Sequence, residues 1–415
     1  MSAERRGGLS DVWVNPSPAG LGRPVPTAGV LAFHSRLPGY EPSPLRSLPR
    51  EAERLGLGEL WVKQETWRLG LPSFKVLGAS WAVCRAVAER LGLPTVPPIE
   101  ELGRVASSAG PLRLVAATDG NHGRAVARLA ALLGLGARIL VPAGTAAARI
   151  KAIESEGASL GVVEGDYDEA VRRSVEEGAD GGSMVISDTS WPGYERVPSM
   201  IGEGYATIFA EADRQLAEAG AGPPAAVVVP AGVGALAAAA LLHYRVDGGG
   251  ARVVTVEPRG AACVLRSLRA GHPVTVPGPH RSMMAGLNCG TPSSLTWPVL
   301  AAATSVALAI DDVAACAAMR TLAAAGVEAG ETGAAALGGL TALCAAAEDG
   351  SAAADVAGGA LAAAGVLPGS SALVVVTEGP TDPVSWEEIV GRPPTPRENV
   401  GPTPMEDEVR RLVSG

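Results

Sequence analysis

Residues 223–242 read PPAAVVVPAGVGALAAAALL, and the way this stretch divides decides the fold. Its length approaches the roughly 20 residues of a membrane-spanning helix. Against a span stand Pro223, Pro224, Pro230 and the Gly-Val-Gly interruption at 232–234, together with a β-branched first half. Proline and glycine break helices, and valine runs suit buried strands. The stretch therefore reads as a strand (225–229), a glycine loop and a helix (235–244). The same alternation extends outward. Further strands are expected at 59–64 (ELWVKQ), 113–117 (RLVAA), 138–141 (RILV), 252–256 (RVVTV) and 372–377 (ALVVVT), with helices at 75–91, 122–133, 146–156, 167–177 and 203–219. Fully apolar strands alternating with helices imply parallel sheets covered on both faces, an α/β fold. The elements cluster before and after about residue 200, which suggests two domains: 1–78 with 200–415, and 79–199. The first forty residues are expected to form an extended arm. The Ala/Gly-rich segment 345–371 is expected to hold a helix and a flexible surface loop, and the chain after Gly391 a linker ending in a short charged helix.

Composition narrows the function. The 415 residues are 47% apolar and 19% charged, a globular balance. A net charge of −9 without any cluster of Lys and Arg argues against nucleic acid or another polyanion as partner. Five cysteines without a CxxC pair, and a charged N-terminus without an apolar stretch, predict a reducing, cytoplasmic setting with no metal centre. Of the 34 Lys and Arg residues only Lys63, Lys75 and Lys151 are lysine. Chemistry that needs a deprotonatable amine has these three candidates, because a guanidinium stays protonated. Lys63, in a strand, and Lys151, on an amphipathic helix, read as ordinary.

Three segments carry chemistry. In RLGLPSFKVLGA (68–79), Lys75 follows Phe74 at the start of a helix, where the positive end of the dipole disfavours an ammonium. The alternative is a first-turn lysine with a packed stem and a solvated head. In ATDGNHG (117–123), a strand–turn–helix junction offers free backbone N–H groups for a carboxylate. Here Thr118, Gly120 and His122 are candidate substrate contacts and Asn121 supplies an amide, while Asp119 is either an acid/base or a helix cap. In PAGVGAL (230–236), Gly232, Val233, Gly234 and Ala235 form a loop whose amides suit a phosphate, though it is neither a GxGxxG nor a Walker loop. An amine, a carboxylate turn and a phosphate cradle are together the parts of a pyridoxal phosphate enzyme.

PSFKVLGA, TDGNHG and the glycine loop resemble the fold-type-II pyridoxal phosphate enzymes, the tryptophan synthase β group. The acid in Thr118-Asp119-Gly120-Asn121 is similar to the diaminopropionate ammonia-lyase branch of that family. So are FHSRLPGYEPSPL (33–45), SDTSWPGYERVP (187–198), MMAGLNCGTPS (283–293) and VVTEGPTDP (375–383). The resemblance spans residues 33–384, apart from the Ala/Gly-rich insert. It implies two three-layer α/β/α domains with the coenzyme between them. It also implies roles: Lys75, next to Phe74, attaches the coenzyme and carries a proton, and Asp119 is a second acid/base on the opposite face of Cα. Asn121 holds the ring oxygen and the loop 232–235 the phosphate. Thr377 lies near the ring nitrogen, and Asp188 grips a substrate β-ammonium. The implied reaction is elimination of ammonia from 2,3-diaminopropionate to give pyruvate, by a homodimer acting on a small amino acid. Cys263 and Cys289 are either a local disulfide or free thiols. Alternatives are another β-eliminase or β-replacing enzyme acting on serine, threonine or an activated serine, a coenzyme-binding regulator without turnover, and a nucleotide-binding α/β protein.

Overall fold

Valine-rich runs too apolar for an exposed sheet face organise the chain. The computed structural model describes residues 9–22, 27–118, 120–165, 167–246, 250–349 and 352–397. Its strands are β1 (Leu9–Val14), β2 (Leu45–Ser47), β3 (Glu59–Gln64), β4 (Arg113–Ala117), β5 (Gly136–Pro142), β6 (Ser159–Val163), β7 (Ser183–Val185), β8 (Ala226–Pro230), β9 (Arg252–Pro258), β10 (Val306–Ile310) and β11 (Ser371–Val376). They form a seven-stranded sheet in the order β1-β10-β9-β8-β11-β3-β2 and a four-stranded sheet in the order β6-β5-β4-β7. Every pairing is parallel except at the two edges of the larger sheet, where β1 and β2 run antiparallel to their neighbours. In the larger sheet Val228 pairs with Val254 and with Val374, and all three are at most 2% exposed. Each such valine contributes about 1.5–3 kcal/mol of burial.

Two compact units result. One comprises the described residues up to Thr27, Pro42–Trp67 and Ala206–Pro394; the other contains Ala28–Glu41 and Arg68–Tyr205. The breaks expected after residues 78 and 199 fall inside the helices Lys75–Arg90 and Arg196–Gly204, where a boundary would cut a continuous hydrogen-bond ladder. The observed breaks lie between elements. Residues 28–41 join the second unit through bonds within it: His34 Nε2 to the Leu77 carbonyl at 3.0 Å, and the Arg68 guanidinium to the Glu41 carbonyl at 2.9 Å.

Several expectations change. The N-terminal arm carries an edge strand and the helix Thr27–His34. In segment 345–371 the helix Glu331–Glu348 runs in and the helix Ala352–Ala363 follows, with Ala357 and Ala360 in the core, and residues 364–370, with Leu367 exposed, lead on to β11. Small residues there allow helix and sheet to approach closely. The single helix expected over 203–219 is two, Arg196–Gly204 and Ala206–Glu218, divided at Tyr205. Most of the expected charged tail lies outside the described residues. The 223–242 stretch resolves into β8, a glycine loop and the helix Ala235–Tyr244. Among the described residues no helix is long and apolar enough to cross a membrane.

Candidate active site

In the second unit, the chain turns sharply through Leu69 and Gly70, both at positive φ, and enters the helix Lys75–Arg90 at Lys75 itself. The Lys75 ammonium donates to Asp188 Oδ2 at 2.7 Å and lies 5.5 Å from the centre of the Phe74 ring. The helix start is as expected, but the charge nearest the amine is a carboxylate, which at contact distance outweighs the partial charge of a helix end. Asp188 is buried, and its Oδ1 accepts from the Tyr167 hydroxyl at 3.1 Å. Burial pushes its carboxyl up. The charges of Lys75 and His122, with the hydrogen bonds from Lys75 and Tyr167, outweigh burial and hold it well below the ordinary carboxylate range. Asp188 therefore stays ionised at neutral pH, a fixed acceptor for an ammonium.

Asp188 is itself held in place. The Tyr194 hydroxyl donates to the Val185 carbonyl at 2.7 Å and accepts from the Ser187 N–H at 3.0 Å, while its ring stacks on Trp191 at 4.1 Å. His122 Nε2 is 2.8 Å from the Ile186 carbonyl and the residue is 3% exposed. A carbonyl only accepts, so Nε2 bears the hydrogen. His122 is a brace beneath residues 186–188 rather than an exposed substrate contact.

The TDGNHG turn departs from expectation in one respect. Its N–H groups at Gly120 and Gly123 donate to Thr118 Oγ1, at 2.9 and 3.0 Å, so neither is free for a carboxylate. Thr118 uses its hydroxyl to tie the turn. Gly123 is required for this approach, since a Cβ there would lie 2.3 Å from Thr118 Cγ2. Asn121 begins the helix Asn121–Leu132. Asp119 lies outside the described residues.

In the first unit, β8 leads into Gly232–Ala235. Gly234 sits at φ 97°, and a Cβ there would meet Leu300 Cδ1 at 2.5 Å. Both facts demand glycine. The Val233 carbonyl is pinned by the Ser293 N–H at 2.9 Å and the Thr296 hydroxyl at 3.0 Å. The N–H groups of Gly232, Val233, Gly234 and Ala235 donate to no acceptor among the described residues. Four such donors at the head of a ten-residue helix form an anion cradle. At the end of β11, Thr377 is 2% exposed and its Oγ1 has no partner among the described residues.

Two features near the loop escaped the sequence reading. Glu257, fully buried, accepts the Val264 and Leu265 N–H groups, both at 2.7 Å, at the start of the helix Cys263–Ala270. Burial raises its carboxyl to about 8 against the pull of those two bonds. Cys263 donates weakly to the Gly232 carbonyl at 3.6 Å, and a Cβ on Gly232 would lie 3.1 Å from Cys289 Sγ. Among the described residues neither cysteine is in a disulfide.

Each unit taken by itself holds groups that fit part of pyridoxal phosphate: the second an amine for an aldehyde, the first N–H donors for a phosphate and, at Thr377, a buried hydroxyl without a partner among the described residues for a ring nitrogen. Residues 36–357 match the family model described as pyridoxal-phosphate dependent enzyme. The chain belongs to this family. It is a pyridoxal phosphate-dependent enzyme of fold type II, and its relatives identify it as a carbon–nitrogen lyase. It is 36% identical over 306 residues to the diaminopropionate ammonia-lyase of Salmonella typhimurium, covering 71% of this chain and 75% of that one. The crystal structure of holo diaminopropionate ammonia lyase from Escherichia coli superposes with a TM-score of 0.83 at 32% identity, covering 92% of this chain and 97% of that one. Threonine deaminase isoform 2 from Solanum lycopersicum, with a TM-score of 0.68 at 20% identity, shares the fold.

Proposed function

We propose that this pyridoxal phosphate enzyme removes ammonia from 2,3-diaminopropionate, and that water hydrolyses the released aminoacrylate to pyruvate and a second ammonia. One observation carries the choice of substrate: Asp188, ionised and buried, is already bonded to an ammonium at 2.7 Å, that of Lys75. A carboxylate so placed suits a substrate with a second amino group, which a serine or threonine hydroxyl does not supply.

When bound, the coenzyme supplies the electron sink that makes the substrate Cα–H acidic. The protein does the rest. Lys75, packed on Phe74, attaches the coenzyme and carries a proton at Nζ. Gly232, Val233, Gly234 and Ala235 hold the phosphate, Asn121 the ring oxygen, and Thr377 offers a hydroxyl to the ring nitrogen. A hydroxyl there, unlike a carboxylate, leaves that nitrogen mostly unprotonated, which favours elimination over amino transfer. Asp188 orients the β-ammonium so that it leaves as ammonia. The substrate carboxylate goes to the 118–122 turn, where Thr118 fixes Gly120 and His122 braces the wall behind. Asp119 is the second acid/base, beside Lys75 as the first. The assembly proposed is a homodimer and the compartment the cytoplasm.

Pyruvate release from both enantiomers of 2,3-diaminopropionate, beside serine and threonine, tests the reading. Brisk release from serine with none from diaminopropionate hands the chain to another β-eliminase. Asp119→Asn is expected to slow one enantiomer by about 10²–10⁴-fold, the usual worth of a positioned acid or base, with the other within severalfold of the parent. Equal losses for both would leave Asp119 a helix cap. Gly234→Ala is expected to weaken coenzyme binding at least about tenfold in an absorbance titration, and to cost about 1–3 kcal/mol of stability through the positive φ and the Leu300 contact. Unchanged affinity would remove the loop from phosphate binding.

A further inference from the structure

Tyr205 ends the Arg68–Tyr205 stretch of the second unit and divides the helices Arg196–Gly204 and Ala206–Glu218. It is fully buried, and its ring packs on Phe74 with centroids 4.7 Å apart. On the next turn of the lysine helix, Gly78 leaves the space that the ring fills: a Cβ there would lie 2.5 Å from Tyr205 Cε1. The phenol thus lies along the 74–78 stripe of the helix that Lys75 begins. Burial pushes its hydroxyl well above the ordinary tyrosine value, with Lys75 drawing it partly back and Asp188 adding to the rise, so the group stays a neutral donor.

That donor has nothing to donate to among the described residues. The contrast with other tyrosines is sharp. Tyr167 donates to Asp188, Tyr194 to the Val185 carbonyl and Tyr244 to Asp213. A buried tyrosine hydroxyl ordinarily finds a partner, because leaving one unmade is destabilising. An unpartnered phenol beside the proposed coenzyme lysine marks an acceptor that comes with a ligand.

We propose that Tyr205 is a ligand-binding residue whose O–H takes up an anionic oxygen delivered beside Lys75, either of the amino-acid carboxylate or of the coenzyme. This rests on the reading of Lys75 as the coenzyme lysine. The test is Tyr205→Phe in the full chain, which removes the hydroxyl and keeps the ring. Three quantities are measured: the thermal midpoint, the coenzyme dissociation constant by absorbance titration of coenzyme-depleted protein, and KM and kcat for 2,3-diaminopropionate with coenzyme saturating. The thermal midpoint is expected to equal or exceed that of the parent, since an unpaired polar group is gone. One binding constant is expected to weaken about tenfold, the worth of a hydrogen bond to a charged acceptor. A weakened coenzyme constant identifies a coenzyme oxygen. A raised KM with kcat within about threefold identifies the substrate carboxylate. Both constants within about twofold of the parent overturn the proposal, as does a variant that melts lower or fails to fold, because the hydroxyl would then have a structural role. A parent protein that takes up no coenzyme sinks the Lys75 reading and this proposal together, and that result is seen before any variant is made.

Discussion

Lys75→Ala is expected to lower kcat/KM for diaminopropionate by about 10⁴-fold or more, the range lost when a covalent or proton-carrying group is removed. No neighbour stands ready to replace it. Lys63 is fully buried in an ion pair, Lys151 is exposed on the helix Ala147–Glu154, and the chain has no further lysine. Arginine does not substitute, since it does not deprotonate. Borohydride trapping followed by peptide mapping is expected to place the coenzyme on Lys75 in the parent and nowhere in the variant. The variant also takes from the Asp188 carboxyl the charge and hydrogen bond of Lys75, leaving the His122 charge and the Tyr167 hydroxyl to hold it down. In the parent, a carboxyl depressed on folding contributes stability above its unfolded value near 3.8, and that contribution fades as pH falls toward the folded value. The variant is expected to lose the share of this acid-limb stability that Lys75 supplies, and Lys75→Ala with Asp188→Asn to lose the remainder. Turnover within a hundredfold of the parent, or coenzyme still trapped covalently, would show that another amine carries the chemistry.

Legibility followed the locality of the signal. β3, β4 and the helices Tyr167–Glu177 and Ala235–Tyr244 lie where the sequence predicts them, because each is a single apolar or periodic run bounded by turn residues. β10 was missed: VALAI sits among alanines that read equally well as helix. β6 has a glycine and lies at a sheet edge, half exposed, and β7 has only three residues, so neither shows a strand period. The motif residues on one turn or loop were legible; their partners were not. Nothing near Lys75 in sequence announces Asp188, Tyr167 or Tyr205, which only the fold brings together. The sharpest misreading concerns Lys63. In ELWVKQ it reads as an ordinary strand lysine, yet it is fully buried. The available signal was on the helix Ala206–Glu218, where Glu211 and Gln215 stand four residues apart, placing polar groups together on one face.

That misreading yields the second large expected effect. The Lys63 ammonium donates to Glu211 Oε2 at 2.7 Å, to the Ser43 carbonyl at 2.8 Å and to Gln215 Oε1 at 2.8 Å. Ser43 also donates its N–H to Glu211 and its hydroxyl to Glu65, at 3.2 and 2.6 Å. Lys63, Glu65 and Glu211 are all fully buried. Removing one partner from such a network strands the opposite charge without water, which costs about 3–5 kcal/mol. Lys63→Met is therefore expected to lower stability by that amount, read as the denaturant midpoint at constant slope. Lys63→Met with Glu211→Leu is expected to recover most of it, since replacing both charges by apolar groups removes the stranded carboxylate. This strand also borders the residues around Thr377, which is proposed to meet the ring nitrogen. Lys63 pairs in register with Val375 on β11, and Gly379, just beyond Thr377, packs so closely on the Thr66 carbonyl that a Cβ would lie 2.8 Å away. A single variant that folds is thus expected to bind coenzyme more weakly as well, with the double variant restoring both properties together. Full stability in Lys63→Met would mean that Glu211 takes up a proton at little cost and that the pair is not what fastens β3 to the helix Ala206–Glu218.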